Sequence, residues 1–217
     1  MRLDWKIVKT FFLDLIFPID CLGCGKEGEW VCGDCKKNIR PDRHSLRGES
    51  LDKIFSFYSY DSEIVKELIH GLKYRFVEDL AAPLGDLLVG ELEKVRGQIG
   101  QPDFIVPVPL HEKRLLERGF NQSELLAIKI SERFGWPVEN MVLTRSRATA
   151  SQVDFDEEGR KKNIGGAFFA ADREKILNKK IVLVDDVTTT GATMEECARV
   201  LKRVGAREVL GVAFAKG

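Results

Sequence analysis

The sequence contains no apolar run near the ~20 residues that a bilayer-spanning helix requires. Its longest, Phe11 to Phe17, is interrupted by Asp14, ends at Pro18 and is followed by no small-residue cleavage site, so it reads as neither a span nor a signal peptide. Net charge is absent too. Lys plus Arg number 34 and Asp plus Glu number 34, which excludes a globally basic nucleic-acid binder and leaves only local patches. G-x-x-x-x-G-K-[ST] occurs nowhere, which excludes a P-loop nucleotidase. There is no internal repeat and no low-complexity tract. Cysteine is scarce, five in 217 residues, yet four of the five fall between positions 21 and 35. With no export signal the expected compartment is the reducing cytoplasm, where paired cysteines signify metal more often than disulfide.

What is present is an ordinary globular composition, 44% apolar and 31% charged. At roughly 150 residues per domain, the length allows one sizeable α/β domain and a small appendage. The expected division falls near residue 50, giving an N-terminal element over 1–50 and a larger domain over 51–217. Trp5, Val8, Phe12 and Leu15 recur at helical spacing at the start of the chain. That stripe is expected to pack on the larger domain, since the segment has no strongly basic face for a membrane surface. From Lys53 onward, strands alternate with helices. Strands are expected at Phe55–Phe57, Phe104–Val108, near Met141, near Ala167, at Ile181–Val184 and at Val209–Phe214. Helices are expected from Asp61 or Ser62 to Leu72, from Asp79 to Val95, from Asn121 to Phe134 and from Ala192 to Val204. Asn121 with Glu124 has the spacing of a capping box, and Gly135 and Pro137 stop the helix it opens. This alternation implies a parallel sheet with ligand sites at the carboxyl ends of its strands.

Cys21-x-x-Cys24 and Cys32-x-x-Cys35 form two pairs a short distance apart. Zinc takes four thiolates in a tetrahedron, and each pair lets one tight turn supply two of them. Gly25 and Gly33 each follow a cysteine, allowing backbone N–H groups to turn toward sulfur. So short a segment has little core, and bound metal would supply much of its folding energy. Two disulfides or a redox Cys-x-x-Cys are the competing readings. His44 is a spare ligand. Cys197 lies on one helical stripe with Met194, Ala198, Leu201 and Val204 and reads as a buried structural thiol.

The most informative stretch runs Ile181-Val-Leu-Val-Asp185-Asp186-Val187-Thr188-Thr189-Thr190-Gly191-Ala192-Thr193. An apolar strand ends in two carboxylates, and a hydroxyl- and glycine-rich loop then opens a helix. Backbone N–H groups, the helix dipole and threonine hydroxyls make a phosphate cradle. The carboxylates repel phosphate, so they must face hydroxyls or a metal ion. A ribose 5-phosphate satisfies both requirements. The run resembles the phosphoribosyl-pyrophosphate (PRPP) signature of type I phosphoribosyltransferases. That resemblance implies Asp185 and Asp186 at the ribose hydroxyls with magnesium, and residues 187–193 at the 5-phosphate.

A second strand–loop–helix, Val106-Pro-Val-Pro-Leu-His111-Glu-Lys113-Arg114-Leu-Leu-Glu-Arg118-Gly-Phe-Asn121-Gln122, clusters basic groups where departing pyrophosphate needs positive charge. Arg114 and Arg118 are its candidates. Between Thr144 and Gly166 lie Arg145, Arg147, Thr149 and Gln152, then Arg160, Lys161, Lys162 and Asn163, a long polar stretch expected to be mobile and to close over a charged ligand. Together with the Phe17-Pro18 before the first cysteine pair and the Leu72-Lys73-Tyr74 segment, these features resemble the ComF-type (ComFC) competence family. One departure is Phe76, where a glycine is expected beside the Lys-Tyr segment. The resemblance implies a type I phosphoribosyltransferase-like α/β domain behind a zinc element, PRPP and magnesium as ligands, and a part in DNA uptake. It leaves two readings open: a phosphoribosyltransferase acting on an acceptor that no motif identifies, and a PRPP-sensing adaptor whose zinc element contacts a helicase or single-stranded DNA. The basic residues show no interleaved aromatics in sequence, which counts against direct DNA stacking.

Overall fold

The computed structural model describes residues 19–146 and 165–217. The chain forms two compact units, Met1–Arg40 and Pro41–Gly217. The boundary thus precedes the expected residue 50, because the polar stretch after Arg40 contributes a strand to the larger unit's sheet. In the smaller unit the Cys21 N–H donates to the Lys26 carbonyl, and those of Leu22 and Gly28 to Trp30 and Ile19. Helix α1 (Gly33–Asn38) follows, with Cys32 at its N-cap.

The larger unit runs β1 (His44–Leu46), β2 (Lys53–Ser59), α2 (Glu63–Tyr74), a 3-10 turn (Glu78–Leu80), α3 (Ala81–Ile99), β3 (Phe104–Pro107), α4 (Glu112–Arg118), α5 (Gln122–Phe134), β4 (Leu143–Arg145), β5 (Phe168–Ala170), α6 (Arg173–Ile176), β6 (Lys180–Thr188), α7 (Ala192–Arg203) and β7 (Glu208–Lys216). The sheet order is β1-β2-β7-β6-β3. Only β1 is antiparallel to its neighbour; β2, β7, β6 and β3 are parallel. Central parallel strands are covered on both faces, which is why β6 and β7 read as nearly unbroken apolar runs. β4 and β5 pair separately. No helix among the described residues is long and apolar enough to cross a membrane.

Two helices place the site. Asn121 caps α5: its Oδ1 accepts the Ser123 N–H at 3.0 Å, while its Nδ2 donates to the Val108 carbonyl and ties the cap to the end of β3. The expected capping box is half formed, because Glu124 accepts from Asn140 instead of turning back to the cap. The amphipathic α7 buries Met194, Cys197, Ala198 and Leu201, so Cys197 is the inert core thiol its stripe implied. Each large apolar side chain so buried contributes about 1.5–3 kcal/mol.

The first turn of α7 is pinned from the other side. Glu195 accepts the Ser50 N–H at 2.6 Å and the Leu51 N–H at 3.2 Å. Gly48 makes room for this carboxylate, since a Cβ there would lie 1.8 Å from Glu195 Oε2. Gly48→Ala should therefore expel Glu195 and cost about 1–3 kcal/mol in urea unfolding, the penalty of leaving those backbone donors unmatched. An unchanged midpoint would show that Glu195 does not hold the turn.

Candidate functional site

The apolar strand β6 extends through Thr188, further than Val184 where the apolar run stops. Asp185 and Asp186 are thus strand residues, held in register by Ala213 of β7 and its neighbours and not free in a loop. Successive strand residues point to opposite faces, so the two carboxylates find different partners. Asp185 Oδ1 accepts the Ser123 hydroxyl at 2.8 Å and the Asp186 N–H at 2.9 Å. Asp186, at 2% exposure, accepts the Val187 N–H on Oδ1 at 2.9 Å and has the Lys73 ammonium 2.8 Å from Oδ2.

Electrostatics follow from this crowding. Burial and the adjacent Asp186 charge push the Asp185 carboxyl up to about 7, against the pull of Lys73 and the Ser123 hydroxyl. Burial works to strip Lys73 of its proton, but Asp186 outweighs it and holds the ammonium above its ordinary value. Arg118 is held below the usual guanidinium range by burial, although it lies in the fields of Asp186, Tyr74 and Asp185. It donates to Gln122, and its Nε is buried without a partner among the described residues. Arg145, set over the Phe168 ring, is lowered by burial and by Arg114.

Behind Asp186 the chain closes a cup lined by Asp185, Val187, Thr188, Thr189, Gly191, Ala192, Thr193 and Met194. Gly191 caps α7 at φ 81, a left-handed conformation that glycine adopts without strain, and the first turn of the helix forms part of the cup's wall. A larger cavity of about 540 Å³ adjoins it, sharing Gly191 and Ala192 and lined on its far side by Leu46, Leu51, Ile54 and Glu195.

The structure therefore brings together Asp185, Asp186, residues 187–193, Arg118 and, through Arg145, Arg114. Lys113 turns instead toward Glu117 on the exposed face of α4. Arg147 and Arg160, with Thr149, Gln152, Lys161, Lys162 and Asn163, lie outside the described residues, as does the stripe of Trp5, Val8, Phe12 and Leu15. Sequence reasoning missed Ser123, Lys73's contact with Asp186, and Tyr60 and Tyr74, which share the Asp186 field. The only local signal for Ser123 was its place in the first turn of a capped helix. Tyr74, 55% exposed, packs its ring on His70 and lies in the charge field of Arg118.

In the smaller unit, the sulfurs of Cys21, Cys24, Cys32 and Cys35 all lie within 4.8 Å of one another, with Cys24 and Cys32 at 3.6 Å. A tetrahedral zinc with sulfur bonds near 2.3 Å has sulfur–sulfur edges of about 3.8 Å. The four can hold a zinc ion. Burial opposes charge on Cys21, but the N–H groups of Cys32, Gly23 and Cys24 bring its thiol down to about 6. The neighbouring thiols of Cys24 and Cys32 push Cys35 up to about 12. Four thiolates cannot coexist here without a cation, which is what a zinc ion supplies. Gly25, at φ 73, provides the expected turn, whereas Gly33 opens α1. His44 stands in β1, its Nε2 2.9 Å from Asp42, and is no part of the cluster.

The fold and these two sites define a phosphoribosyltransferase-type α/β domain preceded by a four-cysteine element. The phosphoribosyl transferase domain model matches residues 119–216. The DNA utilization protein YhgH of Escherichia coli K12 is 40% identical over 204 residues, 84% of this chain and 88% of that protein. Competence protein F of Haemophilus influenzae is 30% identical over 89% of this chain and 82% of its own length. The match to the Salmonella typhi YhgH protein, also 40% identical, spans 65% of this chain and 63% of that protein. The chain belongs to this ComF-type family of competence and DNA utilization proteins. Among solved structures, the glutamine PRPP amidotransferase of B. subtilis covers 60% of this chain and 25% of its own at 22% identity and a TM-score of 0.39, a likeness too low to bear on function.

Two outcomes test these sites. Protein purified without added zinc should carry close to one zinc per chain by metal analysis, and Cys32→Ser should lose it and loosen the smaller unit. Thiols oxidised in pairs with no metal would refute the assignment. The raised Asp185 value also carries a sign. A carboxyl that keeps its proton up to about 7 when folded, against 3.8 ordinarily, costs stability as pH rises through that window. Asp185→Asn should therefore gain about 1–2 kcal/mol at pH 8 and almost nothing at pH 3, less than 1.36 kcal/mol per unit would give because Asp185 keeps some access to water. Equal thermal stabilities of variant and wild type at both pH values would contradict the burial.

Proposed function

We propose that the larger unit binds PRPP with magnesium and transfers its phosphoribosyl group, with Asp185 and Asp186 as the catalytic carboxylates. The observation that carries this reading is the meeting of two carboxylates, a helix N-terminus and two cationic side chains, Lys73 and Arg118, at the end of one strand. The cup of residues 187–193 takes the 5-phosphate on the N–H groups of α7. The carboxylates, one residue before it, take the ribose hydroxyls. Arg118 and Arg114 face the pyrophosphate, with Arg147 and Arg160 as further candidates. As the C1–pyrophosphate bond breaks, positive charge grows on the sugar and negative charge on the leaving oxygens, and groups already fixed in place stabilise both. Magnesium, a hard cation suited to carboxylate and phosphate oxygens, supplies charge neutralisation on the pyrophosphate when bound. Asp186 suits such a cation once Lys73 withdraws, since both its oxygens are engaged here.

The names of the relatives favour a link with DNA uptake and utilization; the cytoplasm expected from the sequence is the compartment of this reading. They support a second reading, in which the PRPP site is a sensor and the zinc element contacts a helicase or single-stranded DNA. The smaller unit, Met1–Arg40, and the larger, Pro41–Gly217, would then divide the two tasks.

Calorimetric titration with PRPP and magnesium, followed by a pyrophosphate-release assay, separates catalyst from sensor. Asp185→Asn with Asp186→Asn should keep the fold and abolish magnesium-dependent binding, each lost charge-assisted contact costing about 1.5–3 kcal/mol. Unchanged affinity in the double variant would defeat the assignment.

A further inference from the structure

Asp186 is closed on both sides. With a side chain 3% exposed, it has almost no access to bulk water, and a buried carboxylate without a counter-charge is strongly disfavoured. Lys73 meets that need from the last turn of α2, its own side chain only 21% exposed. The position is held by an unusual turn. After Tyr74 and Arg75 the chain passes through Phe76 at φ 57, and Val77 N–H closes on the Gly71 carbonyl at 3.2 Å. For a residue with a Cβ, that left-handed conformation is strained, because the Cβ crowds the following carbonyl oxygen. The Phe76 ring stays half exposed, so burial does not offset the strain. Strain of this kind persists where the surroundings impose it, and here what it secures is the ammonium over Asp186.

We infer that Lys73 is a resident counter-ion that is exchanged, not supplemented, when a divalent cation reaches Asp186. The released ammonium turns to the phosphates of the arriving ligand, and the 73–77 turn relaxes. This deepens the PRPP reading and rests on it for the identity of the phosphate ligand. The exchange couples two binding events. A cation arriving alone must strand Lys73 in a region already holding Arg118 and Arg114. A cation arriving with pyrophosphate gives Lys73 an anion to face. Cation and phosphate therefore strengthen one another's binding through a single side chain, as reciprocal linkage requires.

The test uses the full chain with manganese as the paramagnetic probe, titrated alone, and PRPP–magnesium titrated separately by calorimetry. Lys73→Gln should bind manganese alone at least about tenfold tighter than wild type, the loss of one charge-assisted contact to Asp186. The same variant should bind PRPP–magnesium more weakly. A merely structural lysine would move both affinities the same way, and that outcome, or an unchanged manganese affinity, overturns the inference. Lys73→Arg keeps the charge and should show no manganese gain. Asp186→Asn in the Lys73→Gln background should erase it. Phe76→Gly removes strain from the closed turn alone and should weaken PRPP–magnesium severalfold; equal affinity would cut the strained turn out of the exchange. The manganese arm needs no PRPP. A gain there with no PRPP binding by any form would overturn the ligand assignment and uphold the exchange.

Discussion

Two adjacent carboxylates at the buried end of β6 are the constraint around which the larger unit is arranged. Neither can stay ionised unaided in that setting, and their mutual repulsion makes the problem worse. Three elements converge to answer it. α5 brings the Ser123 hydroxyl to Asp185, α2 brings the Lys73 ammonium to Asp186, and the end of α4 brings Arg118 into the field of both. Because Asn121 caps α5 and also holds the Val108 carbonyl, the cap that starts the helix also fixes Ser123 relative to β3. Helix capping and site construction are here one set of hydrogen bonds.

The same economy holds at α7. Gly191 turns the chain into it at φ 81, and its first turn stays in place because Glu195 holds the turn at residues 50 and 51. A phosphate cradle must be rigid before the ligand arrives if its dipoles are to be worth more than those of water. Burial of Met194, Cys197, Ala198 and Leu201 supplies that rigidity from the core side. The smaller unit meets a different demand. With few buried apolar side chains among its described residues, it gathers four sulfurs at distances that suit one dication, and a bound metal would take the part that a core plays elsewhere.

Much of this was legible in the chain. The alternation of apolar runs with amphipathic ones gave the parallel sheet, Gly135 and Gly191 marked a helix end and a helix start, and the cysteine spacing announced the cluster of four thiols. Harder to see were β1 and α4, too short to show a period, and the reach of β6 through its acidic pair, because charged residues inside a strand break the apolar pattern that identifies one. The departure at Phe76 was visible in sequence as a missing glycine. Its meaning was not, since only the backbone shows that the position adopts the conformation glycine prefers.

The sequence by itself determined the order of elements, the clustering of four thiols and the glycine- and threonine-rich turn into α7, because each depends on neighbours a few residues apart, where spacing translates directly into geometry. Tertiary structure alone decided which charges meet. Lys73 and Asp186 are more than a hundred positions apart, as are Ser50 and Glu195, and Ser123 reaches Asp185 across 62. No local pattern encodes such pairs. They arise because a parallel sheet gathers the carboxyl ends of distant strands along one edge, and the helices between those strands must return there before the next strand can begin.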